Sequence, residues 1–146
     1  MIQRKQSIWL LIATLLNSGV FLFDLYQTHS SLDKSQDIIS SLKITDHYPT
    51  LILAVVMCLL PFITIFMFRN RKRQLNMLFV SLLSIISFIG MTLGRVNLIK
   101  SIPTPVSTNY GIGAVLPALA FIFVILAMVG IKSDERLVKS TDRLRD

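Results

Sequence analysis

The sequence predicts an all-α membrane protein, a four-transmembrane-helix bundle with both termini cytoplasmic. Three observations carry that expectation. Four apolar runs, residues 7–26, 51–68, 75–93 and 112–131, fill most of the chain. Lys and Arg are spread unevenly over the segments between them. A hydrophobic content of 53% with a mean hydropathy of +0.65 exceeds that of an ordinary soluble domain. A helix rises about 1.5 Å per residue against a hydrocarbon core about 30 Å thick, so each run is long enough to cross.

The first run follows Arg4 and Lys5, which also describes a secretory signal. It leaves through Phe21-Leu22-Phe23-Asp24-Leu25-Tyr26 with no small-x-small cleavage site, so it is expected to stay as the first span. The basic residues then set the threading. Arg4 and Lys5, Arg69, Arg71, Lys72 and Arg73, and Lys132, Arg136, Lys139, Arg143 and Arg145 lie on alternate segments; only Lys34, Lys43, Arg95 and Lys100 lie on the others. The richer set belongs on the cytoplasmic side. Both termini are then inside, which requires an even number of spans, and four runs supply it.

The first outer loop, residues 27–50, opens with Ser30-Ser31-Leu32-Asp33, which resembles a capping box. Leu32, Ser35, Ile39 and Leu42 recur at helical spacing with Ile38 beside them, so a short amphipathic helix is expected on the outer surface. Pro49 suits the first turn of the second helix. The tight segment 69–74 makes spans two and three a hairpin, and Arg69, Arg71, Lys72 and Arg73 would meet anionic headgroups there. In the second outer loop, residues 94–111, Ile102-Pro103-Thr104-Pro105 is expected to be extended, with no strand pair. Trp9 and Tyr110 fall near span ends, where amphipathic rings are favoured. The tail, residues 132–146, is expected to continue the fourth span as a helix. Its Leu137, Thr141 and Leu144 form a narrow stripe beside the Glu135 and Lys139 pair.

No ionisable residue lies well inside a span, which argues against transport through a buried carboxylate and against an intramembrane protease. The residues at depth are neutral. Ser81, Ser84 and Ser87 share a broad face of span three, extended by Gly90 and Gly94, and are expected to form a helix-packing seam. Asn17 is the best candidate for an interhelical hydrogen bond, and Pro61 and Pro117 should kink spans two and four. The lone Cys58 can form neither an internal disulfide nor a zinc site. His29 and His47, near Asp24 and Asp46, match no ligand spacing, so neither metal nor cofactor is expected. The net charge of +7 gathers at span ends rather than on an aromatic-interleaved face, which argues against nucleic acid.

The chain starts Met1-Ile2-Gln3-Arg4 and closes on Gly130-Ile131-Lys132-Ser133-Asp134-Glu135-Arg136-Leu137-Val138-Lys139-Ser140-Thr141-Asp142-Arg143-Leu144-Arg145. Together these ends resemble a family of small four-span membrane proteins from Bacteroidota that share a domain of unknown function. The resemblance covers the chain in length and span count, although its specific motifs lie at the termini. Ser133 stands where that family would carry a basic residue. The resemblance implies the inner membrane of a Gram-negative bacterium and assigns no activity.

The expected function is that of a non-enzymatic scaffold or accessory subunit of an envelope membrane complex. Its expected partners are the lipid bilayer and other membrane proteins or further copies of itself. Arg136, Arg143 and Arg145 would contact acidic partner groups or lipid headgroups. A small oligomeric transporter or channel, built around Pro61, Pro117 and the neutral hydroxyls, is the first alternative. A lipid-acting membrane enzyme with His29 or His47 as general base is the second.

Overall fold

A computed structural model describes residues 3–30, 38–68, 70–100 and 106–143. Four helices, α1 (Gln3–Gly19), α2 (Tyr48–Phe66), α3 (Arg71–Lys100) and α4 (Ile112–Arg143), pack in a closed ring, each against its sequence neighbour and α4 against α1. The α2–α3 turn and the ends of α1 and α4 that lead to the termini gather at one end of this ring, here the terminal end. Three short strands, β1 (Tyr26–Ser30), β2 (Ile38–Leu42) and β3 (Val106–Tyr110), cover the other, the sheet end.

Each helix buries one narrow seam at alternating steps of four and three residues. On α2 the seam is Thr50, Ala54, Met57, Pro61 and Thr64; on α4 it includes Ala120, Val124, Ala127, Ile131 and Asp134. α1 contributes Gln6, Leu10, Ala13 and Asn17, continued by Val20 in the turn that follows it, and α3 contributes Leu78, Ser81, Ile85, Phe88 and Thr92. This is the spacing of left-handed antiparallel bundles, in which side chains interlock along a 3.5-residue repeat. The seams mix large apolar residues, Leu10, Leu78, Ile85, Phe88 and Ile131, with small and polar ones, Ala13, Asn17, Ala54, Thr64, Ser81, Ala120 and Ala127, while Ile8, Leu11, Leu15, Ile52, Phe62, Phe79, Leu83, Ile122 and Val129 face outward. In hydrocarbon there is no drive to hide Leu or Phe, and small residues let backbones approach. α2, α3 and α4 are long and apolar enough to cross a membrane.

Local signals explain the helix ends. α1 stops at Gly19, where the chain tightens into turns closed by Val20, Phe21 and Leu22 amides on the Asn17, Ser18 and Gly19 carbonyls. The apolar run outlasts the helix, and Leu22 is left 82% exposed. His47, in extended backbone, caps α2 with Pro49 in its first turn, and its Nδ1 lies 2.9 Å from the Thr50 hydroxyl. Asn70 Oδ1 accepts the Arg73 amide at 3.4 Å and so starts α3. α4 passes Pro117 and runs on through Ser133, Asp134 and Glu135 as one helix, as expected of the tail.

The sheet corrects two expectations. Its order is β2-β1-β3, both pairings antiparallel, with His29 opposite Ile39 on one side and Ser107 on the other. Ile38, Ile39 and Leu42 therefore belong to a strand and not to an amphipathic helix. The adjacent β-branched pair Ile38-Ile39 suits a strand, and β1 supplies backbone partners that a local periodicity cannot reveal. Leu32, Ser35 and the capping residues Ser31 and Asp33 lie outside the described residues. The second loop does form a strand pair, through β3, while Ile102-Pro103-Thr104-Pro105 also lies outside the described residues.

Candidate functional site

The terminal end is closed by side-chain amides. Gln6 Nε2 of α1 donates to Asp134 Oδ2 of α4 at 2.5 Å, and both residues are buried. Gln74 Nε2 of α3 donates to the Thr64 carbonyl of α2 at 3.2 Å, and both are again buried. A small void lined by Gln6, Ser7, Phe68, Arg71 and Gln74 joins the two pairs. None of Gln6, Gln74 or Asp134 stood out in the sequence. Their signal is positional: each falls on the four-three ladder of its helix, where an exposed polar residue would not be.

Further along the bundle, Asn17 Nδ2 donates to the Met57 carbonyl at 2.8 Å. Met57 lies four residues before Pro61, and proline has no N–H to offer that carbonyl. The α1 amide thus supplies the hydrogen bond that the proline of α2 withholds. Asn17 and Pro61, two separate expectations of the sequence, prove to be one arrangement. Asn17 Oδ1 and Ser81 Oγ, both fully buried, have no partner among the described residues.

The remaining site residues divide. Ser81 and Ser84 are buried, but Ser84 Oγ donates to the Ser81 carbonyl of its own helix at 2.8 Å. Thr14, Thr64 and Thr92 likewise bond to carbonyls four residues back. Ser87, Gly90 and Gly94 lie outside the seam: all three are exposed, and a Cβ built on either glycine would meet nothing within 4 Å. Within this chain they do not join the packing expected of them, because the four-three ladder of α3 runs through Ile85, Phe88 and Thr92 instead. Beside them a groove of about 220 Å³ is lined by Ile86, Ile89, Ala118 and Phe121. Pro117 is buried within α4.

Among the cations, Lys72, Arg73 and Arg136 are exposed and Arg71 borders the terminal void. Arg143 closes α4, while Arg69 and Arg145 lie outside the described residues. Lys5, Arg71, Lys72, Arg73, Lys132 and Arg136 therefore all belong to the terminal end.

The sheet end is built differently. Gly111 donates its amide to the Leu25 carbonyl at 3.0 Å, and a Cβ on Gly111 would sit 2.2 Å from the Asp24 carbonyl oxygen. A Cβ on Gly113 would sit 2.8 Å from the Phe23 carbonyl oxygen. Only glycine permits this backbone-on-backbone approach. It fixes the start of α4 against the segment leaving α1. Tyr26 and Tyr110 then meet edge to face, their centroids 5.1 Å apart. Burial, with a smaller push from Tyr110, lifts the Tyr26 phenol above its ordinary value, so it stays neutral.

Between these backbone contacts and the sheet lies a cavity of about 670 Å³. Its lining is Val20, Phe21, Leu22 and Phe23 from the end of α1, Asp24 and Gln27, Lys43, Ile44 and Thr45, and Tyr110, Gly111 and Ile112. Nothing local to the chain announces it, because β1 and β3 pair across a long separation and the 3-10 turn Ile44–Asp46 joins them only at the cavity wall.

No curated protein matches the chain. Residues 2–144 match the family described as "Domain of unknown function (DUF4293)". The match spans the whole helical ring and the sheet that caps it, and by that extent the chain belongs to the DUF4293 family.

Proposed function

We propose that this is a four-span protein of a bacterial cytoplasmic membrane, with both termini in the cytoplasm. In this reading it is a non-enzymatic scaffold or accessory subunit for other membrane proteins. The large apolar side chains turned outward along the helices support the bilayer as solvent, and α1 joins as a fourth span because it pairs with α4 from Gln6–Asp134 to the Gly19–Leu116 contact. Its outward Ile8, Leu11 and Leu15 match the lipid-facing sides of the other helices. The cations gathered at the terminal end support the orientation.

The observation that carries the scaffold role is the open face of α3. Ser87, Gly90 and Gly94 offer a backbone that a second helix can approach, and their own chain leaves that space empty. Gly90→Leu and Gly94→Leu should therefore leave the fold untouched and weaken association. The test is pull-down at native expression in mild detergent, with the melting temperature of each variant measured in parallel. The reading expects a co-purifying membrane partner, or a second copy, that is lost in both variants at unchanged melting temperature. A lone monomer, or a complex indifferent to both substitutions, would contradict it.

A further inference from the structure

We propose that the cavity at the sheet end seats the headgroup of an ethanolamine phospholipid from the adjoining leaflet. Asp24 would pair with its ammonium group and Lys43 with its phosphodiester. The inference rests on the four-span reading, which puts this cavity at the boundary between hydrocarbon and water.

The cavity's volume of about 670 Å³ falls in the range that small-molecule sites occupy. Its lining is amphipathic. Phe21 and Leu22 come from the turn that ends α1, while Gln27, Lys43 and Thr45 come from β1 and the approach to α2. Leu22 is 82% exposed between the exposed Phe21 and Phe23, which is an apolar ledge for an acyl chain.

The charges narrow the ligand further. Asp24 and Lys43 line one cavity, yet neither forms an ion pair among the described residues. A purely anionic headgroup would satisfy Lys43 and set like charge against Asp24; a simple cation would do the reverse. A dipolar headgroup answers both. A primary ammonium donates hydrogen bonds to a carboxylate and to an amide carbonyl such as that of Gln27, whereas a quaternary choline donates none. The site is preformed, since the Gly111 and Gly113 contacts fix its floor, so little ordering opposes binding.

The test uses the full chain in mild detergent and counts bound lipid by native mass spectrometry. Phosphatidylethanolamine, phosphatidylglycerol and phosphatidylcholine of equal chain length are compared, with O-phosphoethanolamine as a tailless competitor. Phosphatidylethanolamine should be retained roughly tenfold more tightly than either other lipid, as a charge-assisted hydrogen bond allows. Asp24→Asn should erase the preference over phosphatidylglycerol, and Lys43→Gln should weaken both lipids alike. Equal retention in the wild type, or a preference that survives Asp24→Asn, overturns the proposal. Displacement by O-phosphoethanolamine at a concentration equal to the lipid's also overturns it, because the acyl chains would then add nothing and the site would belong to a soluble zwitterion. If Asp24→Asn lowers the melting temperature, Lys43→Gln decides alone: lost retention supports the site and full retention refutes it. A protein that needs detergent but shows no headgroup preference refutes only this inference. One that stays dispersed without detergent refutes the bilayer reading itself.

Discussion

The two ends of the bundle are closed by different means. At the terminal end the closure is made by side chains, with Gln6 on Asp134 and Gln74 on the Thr64 carbonyl, and only a small void remains. At the sheet end it is made by backbone, with Gly111 and Gly113 pressed on the carbonyls of Asp24 and Phe23, and a large cavity opens beside it. Amide clasps are adaptable: long side chains can swing and re-pair when one partner changes. A backbone contact has no such freedom, so it makes a firm wall around a space that stays open. The terminal end is thereby suited to holding helices in register, and the sheet end to receiving something.

The sharpest way to break this comparison is to place a side chain where backbone meets backbone. Gly111→Val should cost about 3 kcal/mol or more, because no flexible group can yield to it. Gly130→Ala, whose Cβ would lie 3.2 Å from Gln6 Cγ, asks that side chain to give by only a few tenths of an ångström and should cost less than about 1 kcal/mol in the same detergent melt. Equal losses at the two sites would erase the distinction. Next in size, Asp134→Leu strands the buried Gln6 amide and should cost about 1–3 kcal/mol. Asp134→Asn, which can still accept from Gln6, should recover most of that stability. Smaller again, Asn17→Ala should cost about 1 kcal/mol through the buried Met57 carbonyl left unpaired. The cost should shrink in a Pro61→Ala background, where the helix's own N–H returns to that carbonyl. Strict additivity of the two substitutions would separate Asn17 from Pro61. The smallest expected effect is that of Gly90→Leu on stability, within about 0.5 kcal/mol, since it meets nothing in its own chain.

The contrast also explains what could be read beforehand. Hydropathy locates all four helices, because long apolar runs are a local property of the chain. It misjudges the end of α1, since Phe21, Leu22 and Phe23 remain apolar after the helix has stopped at Gly19. It misses the polar ends of α3, which extends over Arg71–Lys100, beyond the apolar run 75–93 at both ends. Asn17 and Pro61 were each legible as unusual residues at depth, but their shared target, the Met57 carbonyl, becomes visible only when α1 and α2 lie side by side. Gly90 and Gly94 satisfy a packing pattern that the ring does not use, because a small-x-x-x-small spacing says that a helix can be approached closely, not by which partner. The sheet was misread altogether. β1 and β3 are separated by about half of the chain, and the helical spacing that takes in Ile39 and Leu42 is outweighed by strand pairing with β1.

The four-span reading requires α1 to cross the bilayer, so that residues before and after it face opposite compartments. The direct measurement uses Lys5→Cys and Thr45→Cys, each in a Cys58→Ala background, probed with a membrane-impermeant maleimide on intact cells with a permeabilised outer envelope. Both positions are exposed on the protein. The account expects Thr45→Cys to label at once and Lys5→Cys to label only after the inner membrane is lysed. Simultaneous labelling of both would contradict it, leaving α1 on one side of the membrane.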